Sequence, residues 1–408
     1  MRILYLHQYF VTRAGIGGTR SYEFARYLVN HGHRVTIVTA ANDPKDFDGL
    51  ITRKQIDGID VVLIKAGYAD YVHGTTLSYL TRIIAFLQFA FASSLAVMRV
   101  EKPQVVFATS PPLTIGIPAL LASKFYRVPL VFEVRDLWPE APIQLSALRN
   151  RFGIALARFF ERMIYRQSAH VIALSPGIRD GVVASSSENQ VSVIPNAADL
   201  ELFSPELDGR EFRARWGING QFVCTYFGTM GEANDLTQVV EAARLLQQRG
   251  VLDVAFVLHG AGKRRAMLER FCQEQGLKNV IFSDPIADKH AIARLAAASD
   301  TCMTIYKNLP VLYTCSPNKL FDTFAAGRPA IVNSPGWLKE LVEGNEAGLF
   351  ARPDDPGHLA ECILYLRDNP KIARDYGQNA RRLAERSFDR NKLAAQLLAI
   401  IEKVAGSR

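Results

Sequence analysis

The chain has 408 residues, 49% of them hydrophobic and 22% charged, with a net charge of +8. That length exceeds one ordinary core and predicts two domains, while the composition is globular and excludes a disordered chain. The positive balance suits an anionic small molecule, a membrane surface or nucleic acid, but nucleic acid is set aside: there is no Cys/His finger and no basic run with interleaved aromatics. All five cysteines lie from Cys224 onward without a CxxC, and they read as buried free thiols of a reducing, cytoplasmic compartment.

The opening run "MRILYLHQYF" is too short for a signal peptide and predicts a first strand. A Gly-rich loop, the helix "RSYEFARYLVNHG" and the strand "RVTIVTA" follow. "IIAFLQFAFASSLAVM", residues 83–98, is the longest charge-free apolar run. It falls short of the ~20 residues that cross a bilayer and reads as a core helix. Next come "QVVFATS", "PLVFEVRD", "HVIALS" and "VSVIPN", short apolar strands rich in Val or Ile. Between them, "RNRFGIALARFFERMIYR" at 149–166 sets apolar residues among Arg149, Arg151, Arg158, Arg162 and Arg166, a basic amphipathic helix able to lie on anionic lipid or simply to pack on the sheet.

"PNAADLELFSPELDG" then reads as a linker, and the strand–helix alternation restarts at "FVCTYFGTM". It continues through "DVAFVLHG", "NVIFSD", "TCMTIY" and "PAIV", with helical runs between. The expected class is α/β, two Rossmann-like parallel-sheet domains facing a cleft. The expected divisions are 1–195, a linker over 196–209, 210–385, and a last amphipathic helix over 386–408 packing back on the first domain.

In such folds ligands sit in loops after strands. "GIGGTR" lacks the third glycine of a dinucleotide fingerprint, because Arg20 stands there, yet Gly17 and Gly18 allow close approach and Arg20 suits a phosphate. "HGAGKRR" is no P-loop: Val257 replaces its first glycine and Arg264 its Ser/Thr. Lys263 and Arg264 still make a local positive site. "FEVRDLWPE" crowds Glu133, Arg135, Asp136 and Glu140 at a strand end, which implies a paired network or a used one. In "SPNKLFDTFAAGRPAIV", Ser316 can cap a helix whose first position is Pro317 and whose stop is Gly327. Unpaired first-turn N–H groups beside Lys319 then suit a phosphate, and Asp322 shares a face with Asn318 and Lys319. The histidines are scattered, with no His-x-x-x-His, so no metal site is expected.

Taken together, "HQYF…GIGGTR", "HGHRVTIVTA", "ATSPP", "FEVRDLWPE", "IPNAADLELF", "FGTMG" and "SPNKLFDTFAAGRPAIV" resemble, in order, the bacterial retaining glycosyltransferases of family 4, which have the GT-B fold. The branch most resembled transfers amino-deoxy sugars such as N-acetylfucosamine in polysaccharide (O-antigen or capsule) assembly. The resemblance implies a UDP-sugar bound mainly by the second domain and a lipid-linked saccharide acceptor bound by the first, at the cytoplasmic face of the inner membrane. It implies a diphosphate held by Ser316, Asn318 and Lys319, and the donor ribose at Asp322. Arg135 and Asp136 join Lys319 as catalytic candidates; Gly17, Gly18, Arg20, Glu133 and Thr229 join the binding set, and no metal cofactor is implied. The chain departs from the family in three places. The first Glu of the family's Glu-x7-Glu falls on Thr314, its phosphate-binding Arg on Thr229, and its Lys near Asn234. Phosphate charge is then left to Lys263, Arg264 or Lys319. A nucleotide-sugar epimerase of the same fold, or a non-catalytic nucleotide-sugar-binding scaffold, are the alternatives.

Overall fold

The protein is described by a computed structural model over residues 1–15, 17–41, 49–66, 79–186 and 190–407. Among the described residues the first domain carries eight strands: β1 (Arg2–Leu6), β2 (Arg34–Ala40), β3 (Ile51–Ile56), β4 (Ile59–Ile64), β5 (Val105–Thr109), β6 (Leu130–Val134), β7 (His170–Ala173) and β8 (Val191–Val193). Their order is β3-β4-β2-β1-β5-β6-β7-β8, parallel except for the β3–β4 pair. The second domain carries β9 (Phe222–Phe227), β10 (Val254–His259), β11 (Val280–Ser283), β12 (Thr301–Thr304), β13 (Ala330–Val332) and β14 (Gly348–Phe350), in the order β11-β10-β9-β12-β13-β14 and parallel throughout. In each sheet the strand order reverses beside the first strand, at β1/β5 and at β9/β12, where doubly wound sheets open a crevice.

The central strands are buried along their whole length, as in β5 and β6, because helices cover both faces of each sheet. On one face of the first sheet, Phe89, Ala119, Ile164 and Ile178 bring four helices down on Leu6, Val38 and Phe132. On the other, Phe24 and Leu28 of helix Arg20–Asn30 lie with Leu393, Leu397 and Ile401 of the last helix, Arg390–Gly406, against Tyr5 and Phe107. The chain therefore ends on the domain where it began.

Several elements differ from the sequence reading. The first strand stops at Leu6, and His7 and Gln8 are buried beyond it. The edge hairpin β3–β4 was not anticipated; it turns through Asp57 and Gly58, both at positive φ. Residues 196–209 cross between the domains with Ala198 and Phe203 buried in the second domain's core, and Ala198 bridges to Asp389, so the two crossings run side by side. The run at 83–98 is not a core helix but part of a surface layer; helix Tyr79–Val97 buries Phe89 and leaves Phe91 70% exposed.

Candidate functional site

A cavity of about 580 Å³ opens between the domains at the carboxyl ends of β6, β9 and β10, in the size range of small-molecule sites. One wall is the first domain: Gly17, Gly18, Arg135 and Asp136. The other is the second: Gly228, Thr229, His259, Tyr306 and the stretch Cys315–Lys319, with Asp322. Asn196 and Asp199 of the crossing segment close the back.

The helix at this cavity starts at Asn318, one residue later than expected, with Pro317 at the cap position and no capping side chain. Ser316 does not cap it. Its Oγ accepts the Asn196 N–H at 3.1 Å, and its carbonyl accepts from Asn196 Nδ2, so the two chain segments are tied together here. The Leu320 N–H is taken by the Pro317 carbonyl at 3.1 Å, while the Asn318 and Lys319 N–H groups, which the helix cannot satisfy from within, start the helix at the cavity wall without a side-chain competitor.

Lys319 folds back across the end of β9. Its Nζ donates to Tyr226 Oη at 2.7 Å, lies 3.5 Å from Asn234 Oδ1 and stands 3.9 Å above the Tyr226 ring. Gly228 makes room for it: with φ at +143°, a Cβ there would stand 3.0 Å from Nζ. Burial of the ammonium pushes its pKa down to about 7, against a small opposing pull from Cys315. Burial likewise raises Asp322 to about 7, Lys289 and Arg390 opposing and Asp199 reinforcing the rise. Burial therefore disfavours both charges, and a ligand carrying the complementary charge or hydrogen bonds would restore them.

On the facing wall, Gly18 sits so close that a Cβ would lie 3.1 Å from Asn318 Nδ2 and 3.6 Å from Arg135 NH2. Lys289 Nζ donates to the Gly17 carbonyl at 3.0 Å, joining the Gly-rich loop to the second domain. Arg135 NH1 is 3.3 Å from His7 Nε2, and His7 Nδ1 is 2.7 Å from Ser21 Oγ. Burial, then the Arg135 charge, lower the His7 pKa, so this imidazole stays neutral. Asp136 is raised by burial, with Arg135 opposing.

Three expected binding residues, Glu133, Lys263 and Arg264, lie outside the cavity lining, and a fourth, Arg20, lines it with its guanidinium already engaged. Glu133 is fully buried beneath the cleft, its Oε2 accepting from Arg20 Nε and NH2 at 3.0 and 2.8 Å and its Oε1 from Thr109 Oγ1 at 2.6 Å. Arg20 also donates to the Ile194 and Pro195 carbonyls, so its guanidinium anchors the crossing segment rather than waiting for a phosphate. Lys263 is exposed and Arg264 half-buried, each 3.6 Å from Glu232, and both lie outside the cavity lining. Thr314, at the family's first Glu position, is also outside that lining: its carbonyl accepts from Ser175 Oγ, and its methyl packs where a Cβ on Gly177 would be 2.8 Å away. Lys289, Asn196, Asp199, Tyr226 and His259 line or support the site and were missed. His259 had a signal, the last residue of an apolar strand; Lys289 had none.

Among the described residues no three His, Cys, Asp or Glu side chains gather as a metal-ligand set. Residues 17–197 match the family described as "Glycosyl transferase 4-like domain", and residues 221–369 match "Glycosyl transferases group 1". The two matches divide the chain at the cleft just described. The chain is a glycosyltransferase of the GT-B fold. It is similar to an alpha-D-kanosaminyltransferase of Streptomyces kanamyceticus, 22% identical over 70% of this chain and 73% of that one. It is also similar to a UDP-Gal:alpha-D-GlcNAc-diphosphoundecaprenol alpha-1,3-galactosyltransferase of Escherichia coli, 23% identical over 49% and 51%. Among solved structures, this glycosyltransferase superposes on a sucrose-phosphate synthase from Thermosynechococcus elongatus with a TM-score of 0.80, 18% identity and full coverage of both chains. It superposes on Anabaena HepE in complex with UDP-glucose at 0.73, with 19% identity over 99% and 100%.

Proposed function

We propose that this glycosyltransferase moves a sugar, an N-acetylated amino or deoxyamino hexose, from a UDP-sugar to a lipid-linked saccharide in surface polysaccharide synthesis, with retention at the anomeric carbon. The observation that carries the reading is Lys319 Nζ held over Tyr226 at the uncapped start of helix Asn318–Ala325. A cation and open N–H groups at one point of a cleft match a leaving diphosphate. A UDP-glucose complex of HepE supports UDP as the nucleotide; the kanosaminyl and diphosphoundecaprenol names of two relatives support the sugar class and the acceptor.

In this reading the acceptor hydroxyl attacks the anomeric carbon from the side of the departing diphosphate. The bond from that carbon to the phosphate oxygen breaks, and the hydroxyl proton passes to the diphosphate. Lys319 and the helix N–H groups hold the charge that develops on the phosphate, in place of the cations absent at Thr229 and Asn234. Asp322 receives the ribose hydroxyls, while Asp136 and Arg135 orient the acceptor. The reaction needs no resident metal, because the protein supplies that charge itself.

The test is a donor screen read by mass spectrometry with a lipid-linked acceptor, followed by NMR of the new linkage. The α-linked product is expected from a UDP-α-sugar. A β product, or turnover only without acceptor, would overturn the reading.

Two expectations follow from the site. EDTA should leave turnover essentially unchanged; loss on chelation, restored by Mg²⁺ or Mn²⁺, would show that a divalent ion shares the phosphate charge. UDP affinity should also depend on pH through Lys319, whose pKa is down at about 7. Below that pH the ammonium is already formed, and above it binding must bring in a proton. Affinity is therefore expected to fall as pH rises from about 7 to about 8.5, by up to about tenfold per unit. Calorimetry on Lys319→Met, which still sees the titration of UDP itself, should show a shallower slope; equal slopes would remove Lys319 from the phosphate.

A further inference from the structure

We infer that the outward face of one helix layer of the first domain docks on an anionic lipid bilayer. The layer comprises helices Tyr79–Val97, Gly116–Tyr126 and Arg151–Gln167, packed side by side on the first sheet. The second and third are in intimate contact, since a Cβ on Gly116 would stand 2.2 Å from Ile164 Cδ1.

Nine of the thirteen exposed large apolar side chains among the described residues lie on these three helices. Phe91 is 70% exposed, Phe125 56%, Phe152 76% and Phe159 63%. The outward residues recur every three or four positions, as in Ile117, Leu121 and Phe125, or Phe152, Leu156 and Phe159. Each helix thus has a second apolar stripe in addition to the one that fills the core. Burying one stripe is enough to hold a helix on a sheet; a second, repeated on three neighbours, serves something outside the domain.

Charge identifies the occupant. Arg151, Arg158, Arg162 and Arg166 are exposed alongside the stripe of the third helix, and Lys124 beside that of the second. Glu161, the only acid within the three helices, is turned inward and 5% exposed. The nearest outside acid, Glu140, is bridged to Arg158 at 2.7 Å. Apolar stripes bordered by arginines and free of acid fit an acyl–headgroup boundary with anionic lipids. A second copy of this chain would bring the same positive charge to the contact. Among the described residues no helix is long and apolar enough to cross a membrane, so this attachment is peripheral. It gains its use from the reading that the acceptor is lipid-linked, and it is tested apart from that reading.

The test is co-sedimentation with vesicles that contain no acceptor, of phosphatidylglycerol with phosphatidylethanolamine or of phosphatidylcholine alone. The wild-type protein should pellet with the phosphatidylglycerol vesicles and be released by salt. Leu121→Gln, Phe125→Gln, Phe152→Gln and Phe159→Gln combined should lower the partition coefficient about tenfold or more. Arg151→Gln, Arg162→Gln and Arg166→Gln combined should lower it chiefly at low salt. Unchanged UDP binding by calorimetry would show both variants folded. Docking that persists while transfer to a lipid-linked acceptor fails would uphold this face and overturn the acceptor reading. Equal vesicle binding by wild type and the apolar variant would overturn the proposal. So would a wild-type dimer that the apolar variant abolishes without any vesicle binding, which would make the face a contact between copies.

Discussion

Lys319→Ala is expected to lower kcat at saturating UDP-sugar by about 10²–10³, the effect of removing one preorganised contact to developing charge, about 3–4 kcal/mol. Stability should barely change. Among the described residues Lys319 has no carboxylate partner; Nζ meets a phenol and an amide oxygen, and burial already disfavours its charge. Tyr226 Oη keeps its own bond to the Thr229 carbonyl at 2.6 Å in the variant. Lys319→Arg should not rescue activity, because the planar guanidinium is wider than an ammonium and the space between Gly228 and the Tyr226 ring is already filled by Nζ. Steady-state kinetics beside a thermal melt checks this. Wild-type kcat in the alanine variant would leave the diphosphate to the helix N–H groups alone.

Glu133→Ala should unfold the protein rather than merely disable it. The carboxylate and the Arg20 guanidinium are 0% and 3% exposed at the side chain. Removing one partner strands the other charge in the core, at a cost of about 3–5 kcal/mol. It also leaves Thr109 Oγ1 with only a long 3.4 Å hydrogen bond to the Ser110 carbonyl. A steep fall in melting temperature, or insoluble expression, is expected. A substrate-binding glutamate would behave differently, with turnover lost and the melt unchanged, and that result would return Glu133 to the site. Replacing Glu133 and Arg20 together by apolar residues of similar volume should recover part of the lost stability, since buried pairs are often no better than packed side chains.

The parallel-sheet class was readable because each strand end in such a sheet is announced by its own neighbours. "DVAFVLHG" ends on His259 and Gly260, and both reach the cleft. Strand β4 (IDVVLI), an apolar interior strand, went unread with its hairpin partner, whereas β3 and β14 escaped because they lie at sheet edges: β3 is mostly polar and β14 is three residues long. Their apolar signal is weak where only one neighbour and part of one face must be served. The Asp57-Gly58 pair was a legible turn signal for the β3–β4 hairpin that went unread.

Sequence by itself determined two Rossmann-like units, a cavity at the loops after the strands, and the Ser316–Asp322 stretch on its wall, because backbone propensity, burial pattern and helix starts are local properties of a few residues. Only the tertiary structure decided which charges serve that site. Arg20 and Glu133, 113 positions apart, find each other, so the guanidinium at the cavity wall is already paired with a buried carboxylate. Lys263 and Arg264 turn to Glu232, while Lys289 reaches Gly17 across the cleft, 272 positions away. The physical reason is that a charge is assigned by what lies within a few ångströms of it and by how much water it keeps, and both are set by packing between segments far apart in the chain.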